Sequence, residues 1–184
     1  METLGRLLNE AFLQVVTVGW FAILVPTVVN RLRRHPTPTF PPAPLAQPMG
    51  PDGATNAAVI LDAIRAIVPV SVGPGAKEPN QIVLSPLDTD AAVVLTWSDP
   101  ARSADMGTFY LELAPLGSDA YYELDMDTDP SMAFWIAVGY LREGSVDAKG
   151  HAWIHVREVG MWHPYSASSP VGDLEPEWVT SLPV

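Results

Sequence analysis

The sequence contains no cysteine, which excludes a disulfide framework, a thiolate metal ligand and a cysteine nucleophile. Positive charge is also scarce, because 10 Lys and Arg stand against 21 Asp and Glu, for a net charge of −11. An acidic surface repels phosphate backbones, so we expect no nucleic-acid partner. The charge favours basic protein partners or simple solubility.

The signatures of common catalytic sites are missing as well. The run Gly73-Pro74-Gly75-Ala76-Lys77 has the wrong spacing for a phosphate loop, and no Ser or Thr follows its lysine. No G-x-S-x-G nucleophile turn is present, and no carboxylate pair is isolated enough to act as acid and base. The sequence therefore predicts a protein that is not an enzyme and assigns it no catalytic residue, metal or cofactor.

What the chain does have is an uncharged apolar run at residues 11–29. As a helix, nineteen residues span roughly 28 Å, close to the hydrocarbon thickness of a bilayer. We expect residues 1–34 to form a single membrane-spanning helix. The positions most suited to contact a partner helix are Gln14, Thr17, Gly19 and Trp20, and Trp20 could also face a bound quinone or pigment, while lipid could surround the helix.

A basic cluster of Arg31, Arg33 and Arg34 follows the apolar run. Under the positive-inside rule this end is cytoplasmic, which places the rest of the chain in the cytoplasm and Met1 on the opposite side. A cleaved signal peptide fits poorly, since Glu2 and Glu10 flank Arg6 where a basic region is needed. The alternative is a helix buried in a protein assembly, such as a homo-oligomeric bundle or tube.

Residues 35–54 form a proline-rich linker, with seven of the 19 prolines between residues 35 and 51. Proline lacks an amide proton and fixes φ, so the segment should be an extended polyproline II spacer about 50 Å long. Such segments also dock into aromatic grooves, and Phe40 is a candidate docking residue.

Residues 55–165 are expected to form a small, mainly antiparallel β domain with one short helix, which makes the fold class α+β. Thr55 is a plausible N-cap for a helix over residues 56–68, and residues 70–80 have the Gly and Pro content of a loop. Short connections demand antiparallel neighbours, so a meander of five or six strands is predicted. The candidate strands are residues 81–85, 91–98, 108–114, 120–127, 133–142 and 151–159.

An acidic ladder lies near residue 125. Asp125, Asp127 and Asp129 resemble the opening of a calcium-binding EF-hand loop, but Pro130 stands where that loop needs Gly, and Ile136 where it needs Glu. A strand explains the pattern better, because its alternation puts Glu123 and these aspartates on a solvent face. We interpret the ladder as a solvated face, with a weak cation site or a docking patch for a basic partner as alternatives.

Three histidines invite a zinc hypothesis that the spacing weakens. His151 and His155 would lie about 13 Å apart on a strand, too far to share one zinc ion, and His163 lacks a clear third ligand. Trp162 and Trp178 fall in segments without regular pattern and are candidate docking residues. Residues 166–184 are expected to be an irregular tail that either docks on a partner or packs back on its own domain.

The layout of one apolar helix, a proline-rich spacer and a compact domain resembles accessory subunits of membrane bioenergetic assemblies. These include single-span subunits of photosynthetic reaction-centre or respiratory complexes, and scaffold subunits that tether uptake hydrogenases. The resemblance implies a non-catalytic anchoring subunit whose partners are other subunits and membrane lipid. The alternatives are a membrane-tethered acidic module that recruits a basic protein, and a homo-oligomeric scaffold.

Overall fold

A computed structural model describes residues 37–75, 79–87, 90–97, 109–115, 121–126, 129–146, 152–165 and 178–182. All of them belong to one compact unit, Thr37–Val184. The predicted spanning helix of residues 1–34, with its partner-contact positions and its arginine cluster, lies outside the described residues. Among the residues that are described, no helix has the length and apolar character needed to cross a membrane.

The first helix, α1, spans Gly53–Arg65 and begins three residues before the predicted start. Its N-cap is Asp52, not Thr55, because the Asp52 carboxylate accepts hydrogen bonds from the backbone N–H and the hydroxyl of Thr55. These hydrogen bonds lower the pKa of the Asp52 carboxyl. Ile60 and Ile64 on the buried side of the helix enter the hydrophobic core.

Five strands form an antiparallel meander in the order β1-β2-β3-β4-β5. Their bounds are Val70–Pro74, Gln81–Pro86, Ala91–Trp97, Phe109–Pro115 and Tyr122–Asp125. The loop predicted at residues 70–80 is thus wrong for β1, where Gly73 and Pro74 are tolerated because β1 is an edge strand. The small α+β fold with antiparallel sheets is confirmed.

The strand register places apolar side chains on one face of this sheet. Two rows run across it and are mostly buried: Ile82, Leu95, Leu111 and Leu124, then Leu84, Val93, Leu113 and Tyr122. The opposite face is polar at several positions, and there Gln81 Nε2 donates to Thr96 Oγ1 over 3.1 Å. The face of the sheet that carries these two rows therefore forms one side of the hydrophobic core.

The predicted strand at residues 133–142 is wrong, because this segment belongs to a second helix, α2, spanning Pro130–Glu143. Every residue from Ala133 to Leu141 is buried, so the helix shows no polar face that would reveal a helical period. Its start is marked by Asp129, whose side chain accepts from Met132 N at 2.9 Å, and by Pro130 in the first turn. Asp129 and Pro130, which read as a turn in the sequence, therefore form the N-terminal cap of α2.

A second antiparallel sheet, ordered β6-β7-β8, follows α2. Its strands are Gly144–Val146, Ala152–Val156 and Met161–Tyr165. Trp162 therefore lies on a strand and not in an irregular segment. Helix α2 contacts both this sheet and the five-stranded sheet, so it is the middle layer between them.

The closest approach between α2 and the second sheet occurs at Gly139. A Cβ atom at this position would lie 2.7 Å from the His155 carbonyl oxygen and 3.0 Å from Ile154 Cγ2. Only glycine therefore permits the observed helix-to-strand distance.

We predict that Gly139→Ala destabilises the protein by about 1–2 kcal/mol, because overpacking outweighs the better helix propensity of alanine. Gly144→Ala is the matched control, since a Cβ there would meet no atom closer than 3.6 Å, and its effect should stay within about 0.5 kcal/mol. The measurement is urea unfolding followed by tryptophan fluorescence. A stabilising Gly139→Ala variant would contradict the packed layer.

Candidate functional site

The proline-rich segment is not a free spacer where the structure describes it, because residues 37–50 pack against the domain. Trp135 Nε1 on α2 donates to the Pro41 carbonyl oxygen at 2.9 Å, and Ala43 N donates to Ser131 Oγ at 3.3 Å. Four apolar side chains of the segment contact the core: Phe40, Ala43, Leu45 and Met49. We call residues 37–50 the N-terminal strap.

The strap ends in a reciprocal pair of hydrogen bonds with α1. Gly50 N donates to Asn56 Oδ1 at 2.9 Å, and Asn56 Nδ2 donates back to the Gly50 carbonyl oxygen at 2.8 Å. Asn56 is buried, so both of its polar atoms need partners, and the strap supplies them. The strap is therefore held to α2 at Pro41 and Ala43 and to α1 at Gly50.

Trp178 lies under the strap and is only 4% exposed. Its ring meets Phe40 edge-on at a centroid distance of 5.3 Å and lies 4.8 Å from the His163 ring. The next residue, Val179, exchanges two backbone hydrogen bonds with Trp162, of 2.7 and 3.1 Å. Of the two fates expected for the tail, the structure shows packing back on its own domain at residues 178–182.

Phe40, Trp178, His163 and Tyr122 form what we call the aromatic junction, in which Tyr122 meets His163 edge-on at 5.9 Å. The junction brings together the strap, the tail, β8 and β5. Phe40 is half-buried by this contact, so of the predicted docking residues both Phe40 and Trp178 contact the protein's own core. A partner could reach Trp178 only by displacing the strap.

His163 is 2% exposed, and burial lowers its pKa to about 4. Its Nδ1 atom and the neighbouring Trp178 Nε1 are both buried without a hydrogen-bond partner among the described residues. Such a site disfavours the imidazolium form and any metal that brings charge with it. The histidine is therefore a neutral core residue.

The other histidine on this sheet takes part in an ionic group on the outer surface. His155 Nδ1 lies 3.5 Å from Glu143 Oε2, and Arg157 is paired with the same carboxylate. The His155 ring stacks on Trp162 at a centroid distance of 4.8 Å. Trp162 is partly exposed, so it is the tryptophan of the predicted docking set that keeps an accessible surface.

The structure describes two side chains of the acidic ladder, those of Glu123 and Asp129, in different roles. On β5, Leu124 and Met126 are buried while Glu123 is partly exposed, which confirms the predicted alternation there. Asp129 is not part of the ladder, because it caps α2.

The remaining residues of the ladder and of the histidine set, namely the Asp125 side chain, Asp127 and His151, lie outside the described residues. Within the described part of the chain, no group of three or more His, Cys, Asp or Glu is placed to hold a metal ion.

Acidic residues also lie on the face of the sheet that carries Glu123. Burial raises the pKa of the Tyr110 hydroxyl, and the charges of Glu112 and Glu123 raise it further. Glu112 and Glu123 are cross-strand partners on β4 and β5, and Glu112 is buried.

Sequence reasoning missed the residues that hold the strap, which are Ser131, Trp135 and Asn56. The available signal was chemical, because a tryptophan N–H or an asparagine amide inside an apolar helix needs a hydrogen-bond partner. The partner itself could not be identified, since it lies as many as 94 positions away in the chain.

No family model matches this chain, and neither a curated protein nor a solved structure is detectably similar to it. The functional conclusion therefore depends on the residues described above.

We predict that stability falls by about 3 kcal/mol as the pH drops from about 6.5 to about 4 because of His163 alone. The unfolded chain binds a proton in this range that the folded protein excludes, so acid favours unfolding. The measurement is the urea midpoint against pH. The His163→Gln variant should lose this contribution to the pH dependence of the urea midpoint, and the His155→Gln variant should keep it. Parallel profiles for His163→Gln and the unaltered protein would contradict the prediction.

Proposed function

We propose that this protein is a non-catalytic accessory subunit that anchors and stabilises a larger membrane complex of the bioenergetic kind that its layout resembles. Residues 11–29 are the proposed anchor, and the α+β domain is the part that clamps other subunits. The observation that supports it most directly is the strap, which fastens the chain to the domain from Phe40 onward.

The strap limits the distance over which the domain can move from the proposed anchor. A free 50 Å spacer would let the domain sample many positions and would suit recruitment of a distant partner. Because the segment packs on the domain from Phe40 onward, only residues 35–39 of the proline-rich segment remain for a spacer. From Val29 to Phe40 the chain is eleven residues, which reach at most about 39 Å. A connection shorter than the full 50 Å spacer supports a subunit held in one position.

Charge supports a protein partner for the domain more than a lipid surface. From residue 35 onward, six Lys or Arg stand against nineteen Asp or Glu, a net charge of −13. Anionic headgroups of a cytoplasmic leaflet would repel such a domain. The basic cluster of residues 31–34 would face the membrane surface, while the acidic domain faces the other subunits.

The test is native mass spectrometry after extraction with a mild detergent. We expect the protein in a stoichiometric complex with other subunits. The apolar residues 11–29 must be shielded from water, and in this proposal the domain binds the neighbouring subunits. Val18→Arg should release it from the membrane fraction, since a central arginine costs about 3 kcal/mol or more in a bilayer, and Val18→Leu is the control.

Recovery as a lone monomer would refute the accessory role. Recovery with copies of itself alone would instead favour the homo-oligomeric bundle or tube.

A second candidate function is a membrane-tethered module whose acidic sheet recruits a basic protein, and the net charge of −13 from residue 35 onward favours it. Its proposed docking residues are Glu123, Asp125 and Asp127, with Trp162 at a separate surface. Recruitment through charge should weaken sharply from low to high salt.

A flexible eight-residue insertion between Pro36 and Thr37 separates the two functions. We predict that it abolishes co-purification of partners with a subunit held in position, because the domain then loses its fixed distance from the anchor. A tethered module would tolerate the same insertion and lose its partner only in salt. The control is the same insertion between Met1 and Glu2, ahead of the apolar run. Partners retained at high salt in both insertion variants would contradict both accounts.

A further inference from the structure

Residues 178 and 179 of the C-terminal tail lie in a groove between the strap and the second sheet. We call it the tail groove and define it by Phe40 on the strap, His163 on β8 and the backbone of Trp162. The ring of Trp178 fills the groove, with 4% of the residue exposed. The Phe40 and His163 rings lie on it at centroid distances of 5.3 and 4.8 Å. The groove therefore accommodates a large aromatic side chain.

The backbone contacts of the groove come from the edge of a sheet. The second sheet has the order β6-β7-β8, so β8 has one edge that β7 does not cover. At this edge Val179 N donates to the Trp162 carbonyl oxygen at 3.1 Å and accepts from Trp162 N at 2.7 Å. Peptide-binding domains use the same combination, in which an extended segment adds to a sheet edge while a side chain enters a pocket.

The protein's own tail is held in the groove by few contacts. Its pairing with β8 is an isolated bridge of one residue pair, and Thr180 and Ser181 are exposed. Inside the groove, His163 Nδ1 and Trp178 Nε1 are buried without a hydrogen-bond partner among the described residues, which makes the seated state less favourable. Such a segment can open locally at a lower free energy than global unfolding requires.

The seated segment shows which chemistry the groove accepts. Residues 178–180 are Trp-Val-Thr and carry no charge. The two β-branched residues favour the extended backbone that edge pairing needs. A ligand that fits is therefore an extended, uncharged segment in which a tryptophan precedes a β-branched residue.

We propose that the tail groove is a docking site for such a segment of a partner protein, which replaces the protein's own tail. A tryptophan of the partner takes the position of Trp178, and the residue after it pairs with Trp162 on β8. The tail is then an internal competitor that covers the groove in the absence of the partner. The groove involves none of residues 1–36, so this site and the proposed membrane anchor can fail separately.

The test uses a fluorescein-labelled peptide of residues 178–182, Trp-Val-Thr-Ser-Leu, titrated by fluorescence anisotropy with the full chain in mild detergent. The tethered tail competes at an effective concentration on the order of millimolar. Trp178→Ala removes the competing ring, so this variant should bind the peptide about tenfold more tightly than the unaltered chain. Equal binding to both chains would overturn the proposal, because the peptide would then use another surface. Absence of binding to the folded variant would overturn it too.

A second variant guards against a fold defect in the first. Val179→Pro keeps the tryptophan ring but removes the N–H that donates to Trp162, so it should tighten peptide binding about threefold. Far-UV circular dichroism reports whether each variant is folded. Loss of the fold in both variants would overturn the proposal, because a segment that the domain cannot release is not exchangeable. Unchanged peptide binding by a folded Val179→Pro chain would also contradict it.

Changes on both sides of the contact locate the site. In the Trp178→Ala chain, Phe40→Ala should weaken peptide binding about threefold to tenfold. Leu87→Ala is the control, since Leu87 is 74% exposed and follows β2 in the other sheet, and it should leave binding unchanged. A peptide with N-methylated valine cannot donate to Trp162 and should bind about threefold to tenfold more weakly. Full binding of the N-methylated peptide would exclude pairing with β8.

The same groove could instead take the tail of a second copy of this chain, and sedimentation distinguishes this case. For a partner of different sequence, the unaltered protein and Trp178→Ala should have the same oligomeric state in detergent. A dimer of the unaltered protein that Trp178→Ala converts to a monomer would assign the groove to exchanged tails and overturn the proposal.

Discussion

Helix α2 is apolar on every side, and the rest of the described domain is arranged to cover it. A helix with no polar face cannot lie on a surface, so it needs a layer above and a layer below. The five-stranded sheet provides one layer and the three-stranded sheet the other. Three short strands have little stability by themselves, so the second sheet depends on α2 as much as α2 depends on the sheet. The glycine at residue 139 is the local consequence, because the helix approaches β7 more closely than any side chain allows.

The same helix also fixes the strap. Trp135 and Ser131 extend from α2 to the backbone of residues 41 and 43, so the layer that organises the core also holds the chain segment that enters the domain. Trp178 completes the cover from the other end of the sequence. Both ends of the described domain therefore share one aromatic junction, and displacing either segment uncovers the other.

Much of the fold follows from local patterns, and the errors lie where such a pattern is absent or where distant residues decide the structure. The antiparallel strands near residues 81–86, 91–97 and 109–115 were predictable because apolar runs rich in β-branched and aromatic residues are bounded by turn-forming residues. Helix α2 was not found by period, since a segment buried on all sides carries no alternation, although Asp129 and Pro130 mark its start. The strap and the buried Trp178 depend on contacts between distant positions. Composition located the proline-rich segment but predicted a free spacer, because it says nothing of the surface on which the segment packs.

The charges of the domain connect its packing to its partners. From residue 35 onward the chain has six Lys or Arg, and the three that the structure describes all lie beside negative groups. Arg142 and Arg157 are paired with glutamates at the second sheet, and Arg65 occupies the last turn of α1, where the helix dipole is negative. These cations are thus already used within the fold, which leaves the acidic excess to be balanced from outside. A positively charged group of another molecule would complement that excess.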